Sequence, residues 1–470
     1  MKSLFSILLT AFLVFSVSSA AHANIKEQLD AIEGLTATEV IPSPNPRYRV
    51  FDIKFMQPED HFDPENQAVF SQRLVLWHRN SDRPMVLQTS GYSIFSRGLS
   101  ALASEFDANQ IQVEHRFFSE SVPSSKNWAL DNIEQSAADF HRITVALKSI
   151  YTAKWVNTGR SKGGMTSVYF RRFYPNDIDA TVAHVAPHSF SLEDERYKTL
   201  VSDHIGGEAN AFCRENLLES QKVLLKNKDK IVDRVQGDFD LLGSKEIALE
   251  HAVIEMPWSY WQYSGPGADC SNVPTPTANV DDHINFLFRN NDPSGYSDSD
   301  LEGFVPYYFQ AATQLGNPAT SLENILDLLD FEETFKIGSY VPKDIPAVYD
   351  DALAMRDVSQ WLKTESERIL FVYGEFDPWT GGAYEDVRAE GDNLRLDVAG
   401  KNHGAQFIDL KGEAHALAYQ KLRTWLNLPV DEDIMARDRQ RAIDGKVPER
   451  RLQTLENKEF EFQKSHRMKL

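Results

Sequence analysis

The chain has 470 residues, 42% of them hydrophobic and 25% charged, a composition that excludes a disordered or fibrous protein and allows one large domain or two to three ordinary ones. A formal net charge of −20 and a pI near 5.1 leave little for a basic duplex-binding face, so no nucleic-acid partner is expected. The acidity implies solubility and self-repulsion at neutral pH.

Residues 1–23 read as an export signal. Lys2 is basic, residues 4–17 are apolar and Ala21-His22-Ala23 offers a small-residue cleavage site. The apolar run is too short to span a bilayer comfortably, so cleavage after Ala23 is expected, with an uncleaved anchor as the rival. No later stretch has membrane length, so the mature protein is expected in a periplasm or the medium without a stable membrane anchor.

Residues 48–55 and 70–77 alternate and are rich in β-branched and aromatic side chains, as strands are. A loop rich in Pro, Asp and Asn separates them at 57–66. Met85-Val86-Leu87-Gln88 leads into Thr89-Ser90-Gly91-Tyr92, and Ile111-Gln112-Val113 follows as another strand. Ile133, Ala137, Phe140, Ile143 and Leu147 recur at helical spacing and predict a helix over 132–150. Lys154-Trp155-Val156 is a short strand, residues 165–173 a helix stopped by Pro175, and residues 181–185 the next strand. Strands alternating with helices predict an α/β fold with a mostly parallel sheet covered on both faces.

The rhythm breaks near Ser189. Residues 189–345 read as mostly helical, with acidic loops and no clear parallel strand. Strands return at 368–373 and 393–398, followed by a helix at 413–426. The expected organisation is an α/β core over 24–188 and 346–428, interrupted by a helical insertion large enough to be a small domain. Residues 429–470 form a densely charged tail, either an exposed helix or a frayed end. Cys213 and Cys270 both fall in the insertion. A sole pair in an exported protein is expected to form a disulfide, two separate buried thiols being the other reading; two ligands are too few for a zinc site.

Gly159-Arg160-Ser161-Lys162-Gly163 matches the nucleophile elbow, in which a tight strand-to-helix turn strains the serine backbone and leaves no room for a Cβ two residues to either side. The pattern alone is weak, but a strand precedes it and a helix follows. A serine hydroxyl needs a base, and the base an orienting carboxylate. In such an architecture the acid follows a late strand and the histidine the last one. Asp377 lies just beyond the strand at 368–373 and His403 just beyond that at 393–398, at the carboxyl ends where open α/β sheets place their sites. Glu375 is the rival acid, with less reach toward the histidine. The remaining histidines have the wrong chain order, follow the serine too soon (His184, His188), or fall in the insertion, a helix, the export segment or the tail. The oxyanion needs two backbone donors, expected from Lys162 and from Tyr92, with Gly91 close behind. This chemistry requires no metal and no organic cofactor.

Several segments join these motifs into a family pattern. They are Thr158-Gly159-Arg160-Ser161-Lys162-Gly163-Gly164-Met165-Thr166, Arg171-Arg172-Phe173-Tyr174-Pro175 and Val185-Ala186-Pro187, with Phe55-x-Gln57-x-x-Asp60-His61-Phe62 and Glu114-His115-Arg116-Phe117-Phe118 upstream. Gln310-Ala311, Gln314-Leu315-Gly316 and Gly374-Glu375-x-Asp377-Pro378-Trp379 complete the set. Over roughly residues 48–427 the chain resembles the secreted bacterial prolyl tri- and tetrapeptidyl aminopeptidases, serine peptidase family 37, and more loosely the lysosomal prolyl carboxypeptidase and dipeptidyl-peptidase family. The resemblance implies an α/β-hydrolase fold, a Ser161, Asp377, His403 triad and a helical cap formed by the insertion. It also implies release of short peptides from free N-termini, often after proline. Arg160 departs from the pattern, being bulkier and charged where a small or neutral residue is expected.

A terminal ammonium calls for a carboxylate in the cleft. Glu255, in Ile254-Glu255-Met256-Pro257-Trp258-Ser259-Tyr260-Trp261, is one candidate, beside aromatic rings suited to a proline; the other reading is a solvated helix carboxylate. Glu114 is a second candidate, read alternatively as the internal partner of Arg116. An exported esterase or lipase with the same triad, and a catalytically silent hydrolase fold that binds ligands, are the competing functions.

Overall fold

The computed structural model describes residues 24–263 and 270–430. The export segment expected over 1–23, and residues 431–470 of the charged tail, lie outside them.

Nine strands form one sheet: β1 Leu35–Glu39, β2 Arg49–Pro58, β3 Val69–His78, β4 Met85–Thr89, β5 Asn109–Val113, β6 Trp155–Arg160, β7 Ala180–His184, β8 Ile369–Gly374 and β9 Leu394–Val398. Their order is β1-β2-β3-β5-β4-β6-β7-β8-β9. β1 to β3 pair antiparallel and β3 pairs antiparallel with β5; from β5 to β9 every pairing is parallel. This is the α/β-hydrolase arrangement. Every strand read from the sequence forms, and the helix after Ser161 begins at Lys162, three residues earlier than its apolar spacing predicts.

The alternation of side chains builds two cores. In β6, Trp155 enters the core on one face and Val156 the core on the other; in β8, Ile369, Phe371 and Tyr373 point one way and Leu370 and Val372 the other. Helices Ile133–Lys148, Lys162–Phe173 and Leu353–Thr364 cover the first face, and Ala101–Glu105 with Gly412–Trp425 the second. A sheet buried on both sides has no solvent face, which is why β4 and β8 read as apolar runs, whereas β5 and β6 also bury polar side chains such as Gln110, Gln112 and Asn157.

Between β7 and β8 the described residues contain helices and turns and no strand, the longest helices being Ala211–Leu225, Lys245–Tyr263 and Val280–Asn290. They share a third core built on Leu217, Ala252, Met256, Trp261, Phe286 and Tyr308, among others. A disulfide joins Cys213 to Cys270 within this region. Pro257 sits inside helix Lys245–Tyr263 and removes the N–H that would bond Val253 O. Gln221 Nε2 donates to that carbonyl instead, at 2.9 Å, so the helix continues through the proline with the freed acceptor satisfied.

The segment after β5 is anchored by a buried ion pair. Arg116 donates from Nε and Nη2 to Asp139 Oδ2 and Oδ1 at 2.8 and 2.9 Å, and from Nη1 to the Glu59 and Leu130 carbonyls. His61 Nε2 lies 2.7 Å from Asp139 Oδ1. Burial alone would raise the Asp139 carboxyl, but the Arg116 charge and these hydrogen bonds hold it below the usual aspartate range. A carboxyl that titrates lower in the folded state contributes stability above its unfolded pKa and loses it as the pH falls through the folded one. Asp139→Asn is therefore expected to cost about 3–5 kcal/mol at neutral pH, because it leaves the Arg116 charge buried without its partner. Urea unfolding measures this, and the deficit of the variant relative to the parent should shrink as the pH is lowered below the ordinary aspartate range.

Candidate active site

Ser161 is the single residue between β6 and helix Lys162–Phe173, with φ 54° and ψ −126°. A side chain at positive φ is strained, so neighbouring structure must hold it. Ser161 N donates to His184 O in β7 at 3.0 Å, and Met165 N returns a bond to Ser161 O at 3.0 Å. The turn is interlocked with the strands beside it. A Cβ on Gly159 would stand 2.1 Å from Gly163 O, and one on Gly163 would stand 2.4 Å from Thr89 O at the end of β4. Thr89 Oγ1 lies 2.8 Å from Gly163 O and 2.6 Å from Ser167 Oγ. The strand order also places this turn: β4 has β5 on one side and β6 on the other. The chain direction across the sheet thus reverses at β4, which opens a crevice at the carboxyl ends of β4 and β6.

Asp377 and His403, from the loops after β8 and β9, meet at 2.7 Å through Oδ2 and Nδ1, both fully buried. Asp377 Oδ1 accepts from Trp379 N at 3.0 Å. With Nδ1–H donating to the carboxylate, the lone pair of the neutral ring sits on Nε2. That nitrogen is buried and has no hydrogen-bond partner among the described residues. Glu375 points elsewhere: its Oε2 accepts from Gly400 N at 2.7 Å, clamping the β8 loop to the β9 loop. Phe376 N donates to Lys401 O at 2.7 Å and tightens the same junction. Glu375 thus braces the loops that bring Asp377 and His403 together.

A narrow cavity of about 10 Å³ is lined by Ser161, Lys162, Tyr92, Met165, Tyr307 and Trp379, among others. Trp379, which lines this cavity with Ser161, also stands beside His403, the two rings 6.2 Å apart. Ser161 opens helix Lys162–Phe173, whose amino end favours negative charge. Tyr92 follows β4 and is buried against Phe304 and Tyr307 of the inserted region, at 6.2 and 6.0 Å. A hydroxyl on a strained turn, an imidazole held by a carboxylate and backbone N–H groups at a helix amino end are the kinds of group that acyl transfer through a tetrahedral intermediate uses. Among the described residues no cluster of three or more His, Cys, Asp or Glu could hold a metal ion.

The two carboxylates read as ammonium ligands separate. Glu255 is buried in helix Lys245–Tyr263, accepting from Tyr296 Oη at 2.7 Å and Tyr340 Oη at 3.2 Å. Burial and the Glu255 charge both raise Tyr307, a residue of the narrow cavity. Glu255 is therefore no solvated helix carboxylate. Glu114 is fully buried, but its partner is not Arg116. Its oxygens accept from Ile94 N at 2.9 Å, Ser121 Oγ at 2.9 Å and Glu120 N at 3.2 Å, and face Arg73 at 3.3 Å. Arg116 lies three residues past the end of β5, and its guanidinium pairs with Asp139 and the Glu59 and Leu130 carbonyls instead. Glu114 is thus spent on the fold and has no free oxygen for a substrate. Tyr307, which no motif marked, sits in an aromatic run, Tyr307-Tyr308-Phe309; Trp379 was visible only as part of the Asp377 segment.

A second cavity, of about 400 Å³, lies in the inserted region between Val201, Leu217, Ile254, Pro257, Trp258 and Trp261. Trp258, which lines it, meets Trp379 of the narrow cavity edge-on at 5.2 Å.

Residues 19–451 match the family model described as PS-10 peptidase S37. The chain is 36% identical over 417 residues to the prolyl tri/tetrapeptidyl aminopeptidase of Streptomyces mobaraensis, covering 87% of this chain and 86% of that protein. It is 26% identical over 250 residues to the lysosomal Pro-X carboxypeptidase of Mus musculus, covering 47% and 49%. A solved proline iminopeptidase from Mycobacterium smegmatis aligns over 87% of this chain and 100% of that one, with TM-score 0.35 and 12% identity.

Replacing Asp377 by Asn should remove the acceptor that fixes the His403 tautomer and slow fluorophosphonate labelling of Ser161 by about 10³–10⁴-fold. Glu375→Gln should cost much less, since Gly400 N can still donate to an amide oxygen; time-resolved labelling of both variants checks the contrast.

Proposed function

The chain belongs to the PS-10 peptidase S37 family and is a serine hydrolase, and we propose that it is an exported peptidase that releases tri- or tetrapeptides from free N-termini, after proline. The observation that supports the reading is the buried Asp377–His403 bond, in loops that open at the same end of the sheet as the strained Ser161 elbow. Ser161 Oγ attacks the scissile carbonyl while His403 Nε2 takes its proton, and Asp377 steadies the imidazolium. The backbone N–H groups of Lys162 and Tyr92 receive the oxyanion. His403 then passes the proton to the leaving amine, and water repeats the sequence on the acyl-enzyme to free the acid and restore Ser161.

The helical insertion, residues 189–345, acts as the cap that sets specificity. Glu255 is the anion for the substrate ammonium, buried behind Tyr307 with two tyrosine hydroxyls fixing its oxygens. Trp379 and Trp258 supply flat apolar walls for a proline ring. An extended tripeptide spans about 10 Å, whereas the narrow cavity holds about one water. Substrate entry therefore requires Tyr307 and Trp379 to move aside, and a structure with a bound product peptide should show both displaced. Export is supported by the signal pattern at 1–23 and by the Cys213–Cys270 disulfide, which suits an oxidising compartment. No helix among the described residues is long and apolar enough to cross a membrane.

Chromogenic Ala-Ala-Pro peptides with free and blocked N-termini, assayed beside p-nitrophenyl esters, test the reading. Turnover of the free peptide, little of the blocked one and none by Ser161→Ala is expected; equal cleavage of free and blocked peptides sinks the aminopeptidase, and ester turnover alone identifies an esterase. A fluorophosphonate that fails to label the native protein marks a silent fold. Glu255→Gln should raise KM for the free peptide about 10–100-fold, the loss of one charge-assisted contact, while changing ester hydrolysis little.

A further inference from the structure

Lys162 follows Ser161, and its side chain folds back into the protein instead of reaching solvent. The residue is 1% exposed, and Nζ donates to the Gly91 carbonyl at 2.7 Å. The rings of Tyr92 and Phe118 stand over that nitrogen at 5.5 and 5.3 Å. Such a burial is costly for a lysine, since burial drives its ammonium well down from the usual range, with only Asp131 opposing. A lysine kept in this position has a local task.

The task is visible in the peptide it holds. Gly91 C=O and Tyr92 N–H belong to one planar trans peptide and so point in opposite directions. Holding the oxygen from one side aims the N–H to the other. The neighbouring links are equally tight: Tyr92 O accepts from His115 N at 3.0 Å. Gly91 sits at φ +73°, and a Cβ there would stand 2.5 Å from Gly163 N, so this loop lies directly on the Lys162–Gly163 peptide.

We propose that the Lys162 side chain is a positioning residue that aims the Tyr92 N–H at the oxyanion by holding the Gly91 carbonyl. One residue then supplies the first donor from its backbone and directs the second with its side chain. The inference rests on the reading that Ser161 is the nucleophile and that the Lys162 and Tyr92 amides receive the oxyanion. It also explains why the elbow carries a long donor at this position: a shorter side chain could not leave the helix start and return to β4.

The test compares the full-length parent with Lys162→Met, which keeps the stem and loses the donor, and Lys162→Arg. Steady-state kinetics use the free Ala-Ala-Pro peptide. Inhibition is measured with the matching peptide aldehyde, whose hemiacetal needs the oxyanion donors, and binding with the product tripeptide, which does not. Lys162→Met is expected to lower kcat about 10–100-fold, a fraction of the ~10²–10³ that follows loss of a whole donor. KM and product affinity should stay within about threefold, aldehyde affinity should fall by the same factor as kcat, and Lys162→Arg should recover part of the loss. A folded Lys162→Met with parental kcat overturns the proposal, as does a kcat loss with unchanged aldehyde affinity or a parallel loss of product affinity. Should Lys162→Met fail to fold, the structure of the parent–aldehyde complex decides: Nζ must remain on Gly91 O with the hemiacetal oxygen on Tyr92 N, and either contact missing overturns it. Inactivity of Ser161→Ala with a parental Lys162→Met rejects this inference alone, whereas an active Ser161→Ala rejects the underlying reading.

Discussion

Ser161 occupies a backbone conformation that costs a non-glycine residue on the order of 1–3 kcal/mol, and the surrounding structure exists in the form needed to hold it there. The hold is distributed. β7 accepts the Ser161 N–H, β4 presses its carbonyl end against Gly163, and the Thr89 hydroxyl sits among the oxygens of the turn. Each contact needs a strand in a particular place, so the order β4-β6-β7 is a requirement of the elbow as much as a packing solution for the sheet.

The same parallel register brings in the other two side chains. Strands β6, β7, β8 and β9 run in one direction, so the loops after β6, β8 and β9 open at one end of the sheet. That places Asp377 and His403 in the same layer as Ser161 without any long excursion. What the register cannot do is set an angle, and here the loop contacts matter. The Glu375 carboxylate on Gly400 N and the Phe376 N–H on Lys401 O lock two loops that would otherwise drift apart. Asp377 is then left with one oxygen for Trp379 N and one for His403.

These relations differ in how far they can be read from residues alone. The elbow, the late acid and the last histidine are legible because chain order and strand ends are local properties. So are β4 and β8, whose apolar runs reflect burial on both faces. β1 and the short helix Ala101–Glu105 escape notice because five residues carry too little periodicity. Arg116 shows the other limit. Glu114 stands two residues away and has the right charge, yet the guanidinium pairs with Asp139, 23 residues on. Such a pairing is decided by tertiary geometry. The Lys162 side chain is hidden for a similar reason, since a lysine beside a helix start reads as solvent-facing and nothing nearby in sequence reveals the carbonyl of Gly91 that receives it.

Burial also shapes the chemistry. Asp377 and His403 are fully enclosed and Ser161 nearly so, with aromatic rings from the inserted region closing over Tyr92. In so dry a space a fixed dipole acts on a developing charge far more strongly than in water, and it need not reorient during the reaction. The gain depends on the dipoles being aimed beforehand, because a buried site has little solvent to correct them. The Lys162 donor on Gly91 O is suited to that need: a single strong contact on the far side of a rigid peptide plane. The enclosure has an opposite consequence for access. A cavity of about 10 Å³ beside Ser161 is far smaller than a peptide, so on the proposed reading Tyr307 and Trp379 give way while the elbow, which belongs to the sheet, stays in place.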